Sequence, residues 1–196
     1  KLQKSFHYLV ASILFLTAPV VVGGVILAPK IISFFYGPTF DPSIFIFQAM
    51  VLIIGIVFVT YPYSVLLVVT GHQKKNFLLI IGGGALDIVL NIIFIPLYGL
   101  SGALLATIIA SVVIFFLTVA TAKKMTNIFL FDVQSVKTAA LAAACSYIML
   151  LAVRWPLVYD LNIIFSIAIG GAVYLGTFFA AWKAAEWLEK RYVIKH

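Results

Sequence analysis

The run Ile81–Ser111, IGGGALDIVLNIIFIPLYGLSGALLATIIAS, decides how the rest of the chain is read. It carries one charge, Asp87, and one strong punctuation mark, Pro96-Leu97-Tyr98-Gly99. On either side of that mark the residues stay apolar for the length of a bilayer-spanning helix, about 20 residues for a hydrocarbon core about 30 Å thick. A three-residue connection, 97–99, between two such stretches forces them into a tight antiparallel hairpin. The expectation is a pair of membrane helices, with the remaining chain continuing in the same style.

Composition agrees. Of 196 residues 64% are hydrophobic and only 10% charged, and the mean hydropathy is +1.20; an ordinary soluble domain is roughly 45–50% apolar and about 25% charged. So few charges cannot coat a water-soluble fold of this size, whereas lipid needs no polar coat. The net charge of +7 does not point to nucleic acid, because the basic residues sit between apolar runs instead of on one exposed stripe. Cys145 is the single cysteine, which leaves no internal disulfide framework and no CxxC or Cys/His set for a metal or haem. The chain begins with Lys1, and its first apolar run is too long for a signal peptide and lacks a cleavage site. It reads as the carboxy-terminal portion of a longer protein.

Apolar runs fall near 7–28, 44–69, 76–96, 100–122, 135–153 and 162–185. Six spans place both termini on one side of the membrane, and the connections can then be scored for Lys and Arg. Lys1, Lys4, Lys74, Lys75, Lys123, Lys124, Lys137, Lys183, Lys190, Arg191 and Lys195 lie on the side of the termini; only Lys30 and Arg154 lie on the other. Positive charge stays cytoplasmic, so both termini are predicted to face the cytoplasm. Pro19 and Pro62 fall inside the first two spans and should interrupt their hydrogen-bond ladders. The segment 29–43 is predicted to be an outer elbow containing a short amphipathic run, IISFF, and 123–134 a cytoplasmic stretch with Phe129, Leu130 and Phe131 dipping into the interface. Lys30, basic at the outer end of the first span, is expected to snorkel towards the headgroups.

An ionisable group in the bilayer centre costs several kcal/mol unless paired or hydrated. Asp87 is that case: 11 residues into its span, it lies roughly 16 Å deep at about 1.5 Å per residue. Asn91 follows at i+4, with Gly83 and Gly84 one turn before, making a small polar stripe. One reading of the stripe is a packing face, with Asn91 bonded to a neighbouring helix; the other is a transport or coupling site at Asp87. Small-residue rows at Gly102, Ala103, Ala106, Thr107, Ala110 and Ser111, in 139–146, and at Gly170 and Gly171 read as close-packing faces. Thr17, Gln48, Thr60, Ser64 and Thr70 either line a cavity or bond to their own backbone. Lys74 and Lys75, in GHQKKN, meet anionic lipid, and a polyanionic lipid headgroup would be drawn to the same place. His7, His72 and His196 lie at edges, and no GxSxG, HExxH or phosphate loop occurs. The chain is not expected to be an enzyme or to hold a cofactor or metal.

The run Ile81–Ser111 resembles the most recognisable segment of polysaccharide-biosynthesis membrane proteins, the oligosaccharide flippases of the multidrug/oligosaccharidyl-lipid/polysaccharide exporter superfamily. The matching elements are Asn91, Ile95-Pro96-Leu97-Tyr98-Gly99, Gly102-Ala103 and Ala106-Thr107. The elbow from Ala28-Pro29-Lys30 to Phe35-Tyr36-Gly37-Pro38-Thr39-Phe40 and the loop GHQKKN are similar to two further family stretches, so that the resemblance covers roughly residues 5–125. Asp87 departs from it, since the family commonly has Asn there. The resemblance implies an all-α, polytopic transmembrane bundle equivalent to the carboxy-terminal lobe of a two-lobed exporter, with the amino-terminal lobe missing. It further implies a cell-membrane protein that moves polyprenyl-linked oligosaccharide from the cytoplasmic to the outer leaflet by alternating access. The alternatives are a cation or drug antiporter of the same superfamily and a non-transporting structural membrane protein. Asp87 and Asn91 are the candidates for transport or coupling, and Lys74 and Lys75 for headgroup contact; the implied partners are membrane lipid, the lipid-linked glycan and the missing lobe, not nucleic acid.

Overall fold

A computed structural model describes residues 2–126, 133–155 and 162–193 of the chain. Every regular element among them is helical: α1 (Leu2–Tyr36), a 3₁₀ turn at Pro38–Phe40, α2 (Ser43–Val69), α3 (Gln73–Tyr98), α4 (Leu100–Thr126), α5 (Val133–Arg154) and α6 (Ile163–Val193). Each of the six long helices contains a stretch long and apolar enough to cross a membrane. The number and order of the expected spans are found, and the helices extend beyond them, most of all at α1 and α6.

The bundle is two sets of three helices. One is α2, α3 and α4, in which α4 packs against both of its partners while α2 and α3 touch only sparingly; the other is α1 with α5 and α6. The sets meet along α1 and α2. Each has an apolar core. Phe6, Val10, Tyr63, Leu66, Leu67 and Ala122 close the end of the bundle where α1 and α3 start and α2 and α4 finish, and Leu27, Cys145, Met149, Val153 and Tyr174 fill the space between α1, α5 and α6. Lys74, Lys75, Lys123 and Lys124 are exposed at the first of these ends.

The distribution of polarity is that of a bundle in lipid. Phe35, Ile88, Ile92 and Phe179 are each more than 60% exposed, while Thr17, Thr118, Thr138, Ser146 and Ser166 are buried. Such an apolar exterior would associate or precipitate in water and is at home among acyl chains.

The elbow differs from expectation. α1 runs through Pro29 to Tyr36, so IISFF forms its last turns instead of a separate element, and the connection shrinks to residues 37–42. The helix continues because Pro29 removes only one backbone donor, and the carbonyl left without its partner, Val25 O four residues earlier, accepts 2.9 Å from Gln48 Nε2 of α2. Pro19 does the same to Phe15 O, which accepts from the Tyr174 hydroxyl of α6 at 2.8 Å. Two prolines in one helix are thus answered by polar side chains from two different neighbours. Pro62 is likewise accommodated within an unbroken α2.

The hairpin is tighter than the expected three-residue turn. Gly99 alone separates α3 from α4, with φ +58°, a conformation that disfavours any side chain. Its N–H closes α3 on Ile95 O and its carbonyl accepts the N–H of Gly102. A Cβ on Gly102 would collide with the carbonyl oxygen of Phe94. The expected packing row of α4 is found in Gly102, Ala106 and Ala110, all buried. Of the two glycines expected to pack in α6, Gly170 is buried against Val153 and Met149 of α5 and Gly171 is exposed. Phe129, Leu130 and Phe131 lie outside the described residues.

Candidate functional site

Asp87 stands in the middle of α3, and the helices around it form a cleft of about 360 Å³. Three helices line it with the same register. α2 contributes Val57, Thr60, Tyr61 and Ser64; α3 contributes Ile80, Gly83, Gly84 and Asp87; α4 contributes Thr107, Ala110, Ser111 and Ile114. Each set follows i, i+3, i+4, i+7, one continuous helix face. α4 is the floor, and the cleft exists because α2 and α3 both lean on α4 without closing on each other.

Glycine sets the depth of the floor. A Cβ on Gly83 would run into Ile114 Cγ1, so the absence of a side chain lets α3 approach α4 closely one turn before Asp87. Gly84 has open space beside it and leaves the cleft unobstructed. Asp87 lines the same cleft as hydroxyl residues from both other helices, and its Oδ1 is shielded from solvent with no hydrogen-bond partner among the described residues. Thr60 Oγ1 donates to Ile56 O at 2.7 Å, and Thr107 Oγ1 to Ala103 O at 3.1 Å, each on its own helix.

Asn91 is not part of this lining. Its Nδ2 donates to the backbone carbonyl of Asp87 at 2.8 Å, back along its own helix, and among the described residues it makes no bond to a neighbouring helix, which the packing reading required. Lys74 and Lys75 are exposed at the start of α3, 12 residues or more from Asp87, which is about 18 Å of helix. The fold therefore separates the candidates: Asp87 lies in a cleft at the middle of α3, the lysines mark one end of the bundle, and Asn91 is bonded back onto α3. The neighbouring turn is held by Thr70 Oγ1, which lies 3.1 Å from His72 Nδ1.

Thr107 and Ser111, read from sequence as packing positions, and Thr60 and Ser64, read only as general polar groups, prove to be the companions of Asp87. The signal that finds them is a pair of hydroxyl residues at i, i+4 in each of two spans flanking the acidic one. Gln48 departs from expectation by bonding across to α1, whereas Thr17 meets one of its two readings: it lines a second, apolar cavity between α1 and α2, and among the described residues its buried Oγ1 has no hydrogen-bond partner. Lys30, instead of simply snorkelling, places Nζ 3.4 Å from Ser166 Oγ of α6.

Among the described residues no group of three His, Cys, Asp or Glu side chains is placed to hold a metal ion. Among the described residues, fold and site together define a helical, multi-pass bundle with a largely apolar cleft that carries one carboxylate and several hydroxyls. No protein-family model matches the chain, no curated protein matches it in sequence, and no solved structure matches it in fold.

Proposed function

We propose that this chain is the carboxy-terminal part of a cell-membrane transporter that flips polyprenyl-linked oligosaccharide from the cytoplasmic to the outer leaflet for polysaccharide biosynthesis. The observation that carries transport, as against mere scaffolding, is the cleft at Asp87. A bundle built only to pack would fill its midplane with methyl groups; a cleft that carries a carboxylate is costly beside acyl chains and is kept where it has a use. The choice of cargo rests on the resemblance of Ile81–Ser111 to the flippase segment. In this reading the missing amino-terminal lobe faces the cleft, the lobes rock around a midplane cavity, and the polyprenyl tail stays in lipid throughout. Both termini and the basic end at Lys74, Lys75, Lys123 and Lys124 face the cytoplasm, where the lysines meet anionic headgroups.

Cation or drug antiport is the second reading, favoured by the same carboxylate. The two separate in one experiment. The full-length parent, expressed in a host lacking its own flippase, is expected to restore surface polysaccharide, measured by glycan staining of intact cells. Membrane-inserted protein that restores none would overturn the flippase reading; resistance to cationic drugs gained by the same cells would establish the second.

A further inference from the structure

The hairpin of α3 and α4 brings two lysine pairs to one level at its open end. Gly99 alone joins the helices, so positions equally far from it lie side by side. Two close approaches fix that register: Gly83, 16 residues before Gly99, meets Ile114, 15 after it, and Phe94, five before, meets Gly102, three after. Lys74 and Lys75 lie 25 and 24 residues before Gly99, and Lys124 and Lys123 lie 25 and 24 after it. Helices packed in this way run about 8–10 Å apart, so the two pairs flank one small stretch of membrane surface. All four lysines are exposed, and among the described residues none has a hydrogen-bond or ion-pair partner. No acid lies on α4, and the single acid of α3, Asp87, is 12 residues beyond Lys75, more than three turns of helix.

Four ammonium groups without a counter-charge attract anions, and at the surface of a membrane the anions at hand are lipid phosphates. A single phosphate, or a compact diphosphate, is met by one pair alone. Engaging both pairs across the width of a helix contact takes two phosphates held apart by a linker. Towards the hairpin turn, Leu78 and Ile81 of α3 and Phe116 and Leu117 of α4 are exposed, an apolar surface for the acyl chains of the same molecule. We propose that the open end of this hairpin binds a phospholipid whose headgroup joins two phosphodiesters through glycerol, one phosphate to each lysine pair, with cardiolipin as the probe. The second phosphate arrives tethered to the first, so its effective concentration is high and affinity rises without a new kind of contact. The proposal rests on the membrane-bundle reading but not on the identity of the cargo.

The test titrates the whole purified chain in neutral detergent with cardiolipin, phosphatidylglycerol or a polyprenyl diphosphate and counts bound lipids by native mass spectrometry. The first cardiolipin is expected to bind about tenfold or more tightly than either the first phosphatidylglycerol or the second cardiolipin. Lys74→Gln with Lys75→Gln, or Lys123→Gln with Lys124→Gln, should each weaken the first cardiolipin by about tenfold, because one remaining pair holds one phosphate. Lys137→Gln with Lys183→Gln removes the same charge from exposed positions on α5 and α6 and should leave that affinity unchanged. Arginine at all four hairpin positions, which keeps the charge, should retain the preference. Equal affinities for cardiolipin and phosphatidylglycerol, or a loss in the Lys137 and Lys183 variant as large as in the hairpin variants, would reduce the site to general surface charge and overturn it. Tighter binding of the polyprenyl diphosphate through the same lysines would overturn it in favour of a docking point for cargo. If one Gln pair yields no folded protein, the other pair decides. Selective cardiolipin binding in a protein whose full-length parent restores no surface polysaccharide sinks the flippase reading and leaves the lipid site standing; restoration without that selectivity does the reverse.

Discussion

Pro19 and Pro29 each deprive α1 of one backbone hydrogen bond, and in each case a side chain from another helix supplies the missing donor. Tyr174 and Gln48 therefore do more than pack. Without water to take their place, their loss leaves a half-buried carbonyl unpaired, which costs up to about 1–3 kcal/mol. Tyr174→Phe and Gln48→Leu are each expected to lower stability by about that much in an unfolding titration. The two carbonyls lie ten residues apart, about 15 Å along the helix, so the effects should add. A double-mutant cycle probes the cause: Pro19→Ala returns an N–H to Phe15 O, and in that background Tyr174→Phe should cost less than half as much. An undiminished penalty would show that the hydroxyl matters for some reason other than the proline.

At the scale of the helix, two glycines of one hairpin make contrasting demands. Gly83 faces a side chain, that of Ile114, whereas Gly102 faces the backbone oxygen of Phe94. Side chains can retreat and backbone cannot, so Gly102→Ala is expected to be the more damaging, with Gly83→Ala costing about 1–3 kcal/mol as ordinary overpacking. Ile114→Ala should recover most of the Gly83→Ala loss, and no side-chain truncation should recover Gly102→Ala. Unfolding midpoints of the single and double variants decide it. The hairpin was legible in advance from Pro96 and Gly99, because a break between two long apolar runs admits few geometries. The unbroken passage of α1 through Pro29 was not, because it depends on Gln48, a residue of the next helix.

For the whole molecule, the two three-helix sets share the seam between α1 and α2, while the sparse contact of α2 with α3 leaves the cleft at Asp87. The sidedness proposed from the lysines can be checked directly. Cysteines substituted for Lys75 and for Phe35, at opposite ends of the bundle and both exposed, are expected to differ towards a membrane-impermeant maleimide. Phe35→Cys should react in intact cells and Lys75→Cys only after permeabilisation, with native Cys145 protected by burial. The opposite pattern would invert the topology.

The number of helices, their order, the hairpin and the mid-depth placement of Asp87 follow from the sequence alone, because twenty-odd apolar residues have one stable arrangement in hydrocarbon and a charge among them is conspicuous. Which face of each helix turns inward does not. In water a core-facing stripe differs from a solvent-facing one; here lipid and protein interior are both apolar, and the stripes look alike. Thr60, Ser64, Thr107 and Ser111 are ordinary small polar residues until tertiary packing rotates them towards Asp87, and Tyr174 and Gln48 are ordinary until it brings them against the carbonyls that proline exposes. The sequence determined that this chain makes six helices fit for a membrane; only their packing decided that three of them would line one cleft with a carboxylate and hydroxyls.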